Sequence, residues 1–429
     1  MSSGERLARV VGVPGAVLMG LGSIVGTGIF VSIGVAAGVA GPAVVIAVAL
    51  AAVLATLNGL SSAQLAASHP VSGGTYEYGY EYLSPALGFT AGWMFLCAKS
   101  ASAATAALGL AGYTLAAFGV FDHRARIALG LAVVIAVTAL LVGGMRRSNR
   151  ANVAIVSCTL LALLAFVLAG LPAAVEGAAA RFDGVFGDVR APDLLHATAL
   201  MFVAYTGYAR IATLGEEIRN PERSIPRAIT WALLTTTALY VAVAAVAVSA
   251  VGAGALANAT EQAAAPLEIV AREFDFPQVS RLVAIGAITA MGGVLLNLLL
   301  GLSRVLLAMG RRGDMPPALA EVDARERSPR RAVVVTGVGI AGLTLIGSVE
   351  TTWSFSAFTV LVYYALTNLA ALRLPADRRR YPRAVPTLGL LGCLGLAFWV
   401  DPRIWLAGLV LIALGLGWHL LARHRSDLR

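Results

Sequence analysis

Only one of the 32 basic residues in this 429-residue sequence is a lysine, and Lys99 lies inside a long apolar stretch, FTAGWMFLCAKSASAATAALGLAGY. A cation at the centre of a bilayer is costly, so charges placed there face a protein interior and mark a transport path. Lysine, unlike arginine, can give up its proton when it is desolvated. Two roles fit that chemistry. Lys99 either exchanges a proton and couples transport to a proton gradient, or it is held by carbonyls and fixes its helix. Residues 98–107, AKSASAATAA, are otherwise Ala, Ser or Thr, which leaves the side chain room among small neighbours.

A second deep cation is Arg210, in FVAYTGYARIATLGEEIRNPERSIPRAI. None of the 23 acidic residues falls in the middle third of an apolar run, and Glu216 and Glu217 come closest. Arg210 stands seven residues before Glu217, two helical turns away and so on the same face of a regular helix. It either pairs with that carboxylate at a cytoplasmic gate or faces a vestibule and attracts anionic groups. The five histidines, His69, His123, His196, His419 and His424, are scattered. With no HExxH, no intramembrane acid pair and no Ser/His constellation, an intramembrane enzyme lacks its components. Neither a cofactor nor a metal is expected.

The elements that hold these residues are apolar helices. Hydrophobic residues make up 58% of the chain and charged ones 13%, and a soluble protein carries roughly twice that charged fraction. Twelve apolar runs recur, at 15–38, 42–67, 85–118, 126–145, 151–172, 194–214, 228–252, 279–309, 332–349, 351–374, 387–400 and 403–422. Most approach the about 20 residues a bilayer requires. This pattern predicts an all-α integral membrane protein of about twelve transmembrane helices. With the N-terminus inside, 23 arginines fall in cytoplasmic segments and seven in outer loops. That asymmetry places both termini in the cytoplasm and assigns the net charge of +9 to orientation and anionic lipid rather than to nucleic acid. Trp353, Trp399 and Trp405 lie near outer span ends, where interfacial aromatics belong. Cys97, Cys158 and Cys393 fall inside spans and suggest no disulfide framework.

Two spans are disturbed. The first carries Gly20, Gly22, Gly26 and Gly28 within nine residues, with Ser23 and Thr27 between them. Such density weakens a continuous helix, beyond what close packing through small residues needs. In the sixth span Val203-Ala204-Tyr205-Thr206-Gly207-Tyr208 interrupts the apolar run. Matching interruptions in the first and sixth spans point to an inverted-repeat transporter. Its half-helix N-termini present N–H groups to an anion while unwound carbonyls accept from a cation. A zwitterionic amino acid supplies one of each.

The stretch GLGSIVGTGIF resembles the first-helix signature of the amino acid–polyamine–organocation (APC) superfamily, and FVAYTGYARIATLGEEIRNPERSIPRAI its sixth helix and following loop. HPVSGGTYEY and LSRVLLAMGRRGDMPP are similar to its cytoplasmic motifs. The resemblance covers residues 15–317. It implies a five-plus-five inverted repeat (15–172 and 194–374) with broken helices 1 and 6, two further helices (387–422), and cytoplasmic tails at 1–14 and 423–429. It also implies alternating access around a central site. There the substrate carboxylate would meet the N–H groups of Gly26, Thr27 and Gly28, beside Ser23. The amine would meet the carbonyls of Ile24, Val203, Ala204 and Thr206.

Proton-coupled relatives commonly keep a lysine in helix five; here that helix offers Ser157, Cys158 and Thr159. Where sodium-coupled relatives use paired hydroxyls on helix eight, this chain has Gly292-Gly293, with Thr289 and Asn297 as remaining ligand candidates. The expectation is therefore a secondary amino acid transporter of the plasma membrane, coupled to protons through Lys99. Two deep cations without a deep acid favour neutral cargo, with acidic amino acids second and cationic ones poor. The alternatives are a sodium-independent exchanger or a transport-inactive sensor. The cytoplasmic loop Glu and Arg residues are either gate ion pairs or solvated. Tyr76, Tyr78, Tyr80 and Tyr82 alternate with polar residues and read as a half-buried loop without chemistry.

Overall fold

Apolar runs in lipid must satisfy their own backbone, and helices do so segment by segment. The computed structural model describes residues 11–69, 73–144, 149–183, 189–212, 218–322 and 329–427, and every regular element among them is helical. Helix α1 (Val13–Ile24) stops at an extended Val25, and the chain resumes through a π-helical turn (Gly28–Ser32) into α2 (Ile33–Ala40). Helix α3 (Val44–Ser68) and a short α4 (Thr75–Tyr82) precede the long helices α5 (Pro85–Ala117), α6 (His123–Val142) and α7 (Asn149–Phe182). Helix α8 (Ala191–Tyr205) passes through a 3-10 turn (Thr206–Tyr208) into one further turn, α9 (Ala209–Ala212). Helix α10 (Pro221–Val251) follows, then the short α11 (Ala253–Ala263) and α12 (Pro266–Ala271). The chain ends with α13 (Gln278–Arg312), α14 (Arg330–Thr344), α15 (Val349–Leu372), α16 (Ala384–Ala397) and α17 (Pro402–Asp427).

Among the described residues eight helical stretches are long and apolar enough to cross a bilayer. The first, sixth, ninth and eleventh expected runs are carried instead by divided or shorter helices.

The bundle is graded from its centre outward. Helices α5 and α15 are mostly buried, whereas α6 and α17 are mostly exposed. Helix α5 packs on α13 and α15, and α10 on α7 and α3. The small residues of AKSASAATAA let α15 approach α5 closely, and hydroxyl pairs join them: Ser102 with Ser356 at 2.7 Å and Thr105 with Thr352 at 2.8 Å. Buried hydroxyls in apolar surroundings need such partners. Leu161, Leu164, Leu168 and Leu171 form an exposed stripe at helical spacing along α7. In a membrane protein that is a lipid-facing surface.

Two expectations are corrected. The alternating tyrosines form helix α4, and Tyr76 and Tyr78 are buried in it. Period-two alternation was the wrong guide because Gly79 sits directly against the Gly88 backbone, docking the segment on α5 as a helix. Trp353 is not interfacial. It is 3% exposed and its Nε1 donates to the Leu200 carbonyl at 2.9 Å, because α15 is a central helix and turns that face inward.

Candidate functional site

The first interruption is an extended residue, Val25, after α1, and the second a 3-10 turn after α8. In the first, Gly28 lies so close to Ala204 that a Cβ there would collide with the Ala204 Cα and Cβ. In the second, a Cβ on Gly207 would strike the Ser23 carbonyl. Each break therefore uses a glycine to rest on the main chain of the other. After the first break Gly26 O accepts from both Ile29 N (3.1 Å) and Phe30 N (3.2 Å), and the chain goes on through the π turn. The segment thus restarts as a half-helix whose positive end begins at Gly28.

A cavity of about 760 Å³ opens on these breaks. Ser23, Ile24, Thr27, Gly28, Val203, Ala204, Thr206, Lys99 and Arg210 all line it. Gly26 is turned toward Val294 instead. Glu216 and Glu217 lie outside the described residues, so the Arg210–Glu217 pairing has no structural account. From the breaks the cavity continues to the arginine-rich end of the bundle, where Arg304, Arg311, Arg312 and Glu77 line it. Arg312 pairs there with Glu77 at 2.5 Å.

Lys99 is 7% exposed, and its Nζ donates to Thr206 Oγ1 at 2.8 Å. The Thr206 hydroxyl in turn donates to Val203 O at 2.8 Å. The lysine of the central helix α5 is thereby tied to the interrupted part of the sixth segment, 107 residues away. Ser23 Oγ is consumed by its own helix, donating to Met19 O at 3.0 Å. Thr27 Oγ1 is buried and has no hydrogen-bond partner among the described residues, so it is available to whatever enters the cavity.

The freed carbonyls have partners that sequence reasoning missed. Tyr240 of α10 donates to Ile24 O at 2.9 Å and lies 3.4 Å from Ala204 O. Tyr364 of α15 donates to Thr206 O at 3.2 Å. These contacts join residues 216, 36 and 158 positions apart, and nothing local in either sequence announces them. At the former helix-eight hydroxyl position, Gly292 faces Leu110 and Gly293 faces Ile155, both apolar. Thr289 Oγ1 donates within its own helix, to Ile285 O at 2.8 Å, while Asn297 lines the cavity.

Beside the cavity mouth a second polar cluster forms. Asp314 is 3% exposed and accepts from Tyr76 (2.7 Å) and Tyr80 (2.6 Å). His419 Nδ1 is 3.2 Å away, and Trp418 Nε1 donates to the Asp314 carbonyl at 2.9 Å. Burial, then the Asp314 carboxylate, push the Tyr76 phenol above its usual range, so it remains a donor. Arg312 lies over the Tyr80 ring at 4.0 Å, a cation–π contact.

An all-helical membrane bundle with a cavity bounded by two interrupted helices has the form of a transporter. The amino acid permease family matches residues 15–427, and the chain belongs to that family. An uncharacterized transporter of Mycobacterium tuberculosis is 41% identical, the alignment covering 96% of this chain and 90% of that protein. The branched-chain amino acid permease BcaP of Bacillus subtilis is 29% identical, covering 92% and 88%. The vacuolar cationic amino acid transporter 2 of Arabidopsis thaliana is 26% identical, covering 90% and 63%. The chain is thus a membrane-embedded protein of an amino acid transporter family, and these relatives are transporters rather than enzymes.

Proposed function

We propose that this protein takes up neutral amino acids together with protons by alternating access, with Lys99 as the proton-carrying group. The observation that carries this reading is the Lys99–Thr206 bond, which ties a buried amine to the broken helix on the cavity wall. An amine can hold or release a proton there, and its bond to Thr206 makes the shape of the break depend on which it does. On the same reading the substrate carboxylate sits at the amides of Gly26, Thr27 and Gly28, helped by Thr27 Oγ1. Its ammonium faces the carbonyls of Ile24, Val203, Ala204 and Thr206. The apolar surroundings of Gly292 and Gly293 support sodium independence.

Residues 15–172 and 194–374 form the two inverted repeats of this proposal, and 387–422 two additional helices. The protein sits in the plasma membrane with both termini in the cytoplasm, and the cavity, open at the arginine-rich end, corresponds to an inward-facing state. The name of the Bacillus relative supports neutral cargo. Although the Arabidopsis relative is named for cationic substrates, the described residues that line the cavity include Lys99, Arg210, Arg304, Arg311 and Arg312, with Glu77 as the carboxylate among them. That charge balance disfavours cationic cargo, and it keeps acidic amino acids as the second reading.

Lys99→Ala and Lys99→Arg in proteoliposomes test the coupling. Uptake driven by an inward proton gradient is expected to fall by at least about tenfold, the factor of a 1.4 kcal/mol loss, while counterflow of preloaded substrate persists. Undiminished gradient-driven uptake in both variants sinks the proposal. Among the twenty amino acids, arginine and lysine are expected to give the smallest thermal shifts; potent competition by arginine contradicts the assigned cargo.

A further inference from the structure

Helix α1 ends at the cavity at Ile24, and α8 gives way there to a 3-10 turn after Tyr205, so carbonyls of two interrupted segments meet where Gly207 rests on Ser23. Converging carbonyl oxygens repel unless a donor lies between them. The Tyr240 hydroxyl is that donor, 2.9 Å from Ile24 O and 3.4 Å from Ala204 O. Tyr240 is fully buried, while Ile24 and Ala204 line the cavity and Tyr240 does not. The hydroxyl therefore reaches the carbonyls from behind, and each oxygen keeps a second lone pair for the cavity side. The position of the hydroxyl is fixed independently. The Tyr240 ring packs on the Tyr205 ring at 5.2 Å, and the Tyr205 hydroxyl donates to Val48 O at 3.2 Å.

We propose that Tyr240 is a positioning residue of the amine subsite: one hydroxyl, shared between the Ile24 and Ala204 carbonyls, sets the spacing and direction with which they receive a substrate ammonium. This rests on the reading that the ammonium binds at those carbonyls. A cation between two carbonyls gains only if both point at it together. Without the hydroxyl the two ends are free to splay, and the loss falls on the amine rather than on the carboxylate, which is bound at the other break residues.

The test compares L-leucine with 4-methylpentanoate, the same molecule without its amine, for binding to the purified full-length protein. Wild type is expected to prefer leucine strongly. Tyr240→Phe keeps the ring packing and removes the hydroxyl. It is expected to cut that preference by roughly tenfold, the scale of one charge-assisted hydrogen bond, entirely through weaker leucine binding. Ligand-free thermal unfolding confirms that the variant is folded. An unchanged preference, or equal weakening of both ligands, overturns the proposal. If Tyr240→Phe does not fold, Tyr205→Phe loosens the brace and leaves the donor in place. It must cut the same preference by a smaller factor, and an unchanged value there also overturns the role. Wild type that does not distinguish the two ligands removes the amine-subsite reading itself, and the inference with it.

Discussion

Gly28 and Gly207 are the residues on which the site geometry turns, because each lies against the main chain of the opposite break. An alanine at 28 forces Ala204 to move, and overpacking of this kind costs about 1–3 kcal/mol. Gly28→Ala is therefore expected to lower the melting temperature and abolish uptake. Gly339→Ala, on α14 with nothing within 4 Å, is the comparison. It removes only the helix penalty of glycine, about 1 kcal/mol, and is expected to be neutral or mildly stabilising. Equal behaviour of the two variants in a thermal unfolding assay would show that the contact between the breaks does not matter. Lys99 belongs to the same scale. Its sequence position marked it out as a deep amine, but its partner, Thr206, lies on the interrupted sixth segment and was visible only in three dimensions.

At the scale of elements, the short α4 connects the mouth of the cavity to the last helix. Asp314, just past the end of α13, holds Tyr76 and Tyr80 of α4 and contacts His419 of α17. Asparagine replaces a charged acceptor of two oxygens by one neutral carbonyl, so the bonds from Tyr76 and Tyr80 lose their charge assistance and one phenol must turn to accept from the amide. Asp314→Asn is expected to cost about 1.5–3 kcal/mol, the scale of hydrogen bonds to a charged group, read as a lower melting temperature in detergent. Wild-type stability would mean that the cluster contributes nothing net. Here the limits of sequence reading are clearest. GLGSIVGTGIF and VAYTGY could be read as breaks because glycines and hydroxyls interrupt an apolar run locally. Asp314 carries no such local signal, since its burial depends on tyrosines 234 and 238 residues away. The Tyr240 and Tyr364 hydroxyls were hidden for the same reason: an apolar helix face shows its period, not which carbonyl lies opposite.

For the whole molecule, twelve apolar runs and the arginine asymmetry made the membrane class plain from composition alone. The structure adds an account of two of the seven arginines that run against the trend. Arg126 donates to the carbonyls of Glu261 and Gln262 at the end of α11 (3.3 and 3.2 Å), and Arg272 to Ala116 O at the end of α5 (2.7 Å). Both cap helix C-termini, where a cation is favoured. They are spent on structure, and the orientation signal loses nothing by them. A carboxy-terminal fluorescent-protein fusion is expected to be bright and a periplasmic phosphatase fusion at the same point inactive; the reverse pair would invert the assigned topology.

The glycine contact between the breaks also bears on how such a protein can be re-engineered. Where Gly28 lies on Ala204 and Gly207 on the Ser23 carbonyl, the contact leaves no room for even a methyl group at either glycine. Altering cargo by mutation must therefore work elsewhere on the lining, at Phe95 and Ser102 of α5, Leu298 of α13 and Trp353 of α15. A library confined to those four positions would vary what the cavity prefers while leaving the contact between the glycines untouched, whereas one that included the glycines would mostly sample broken proteins.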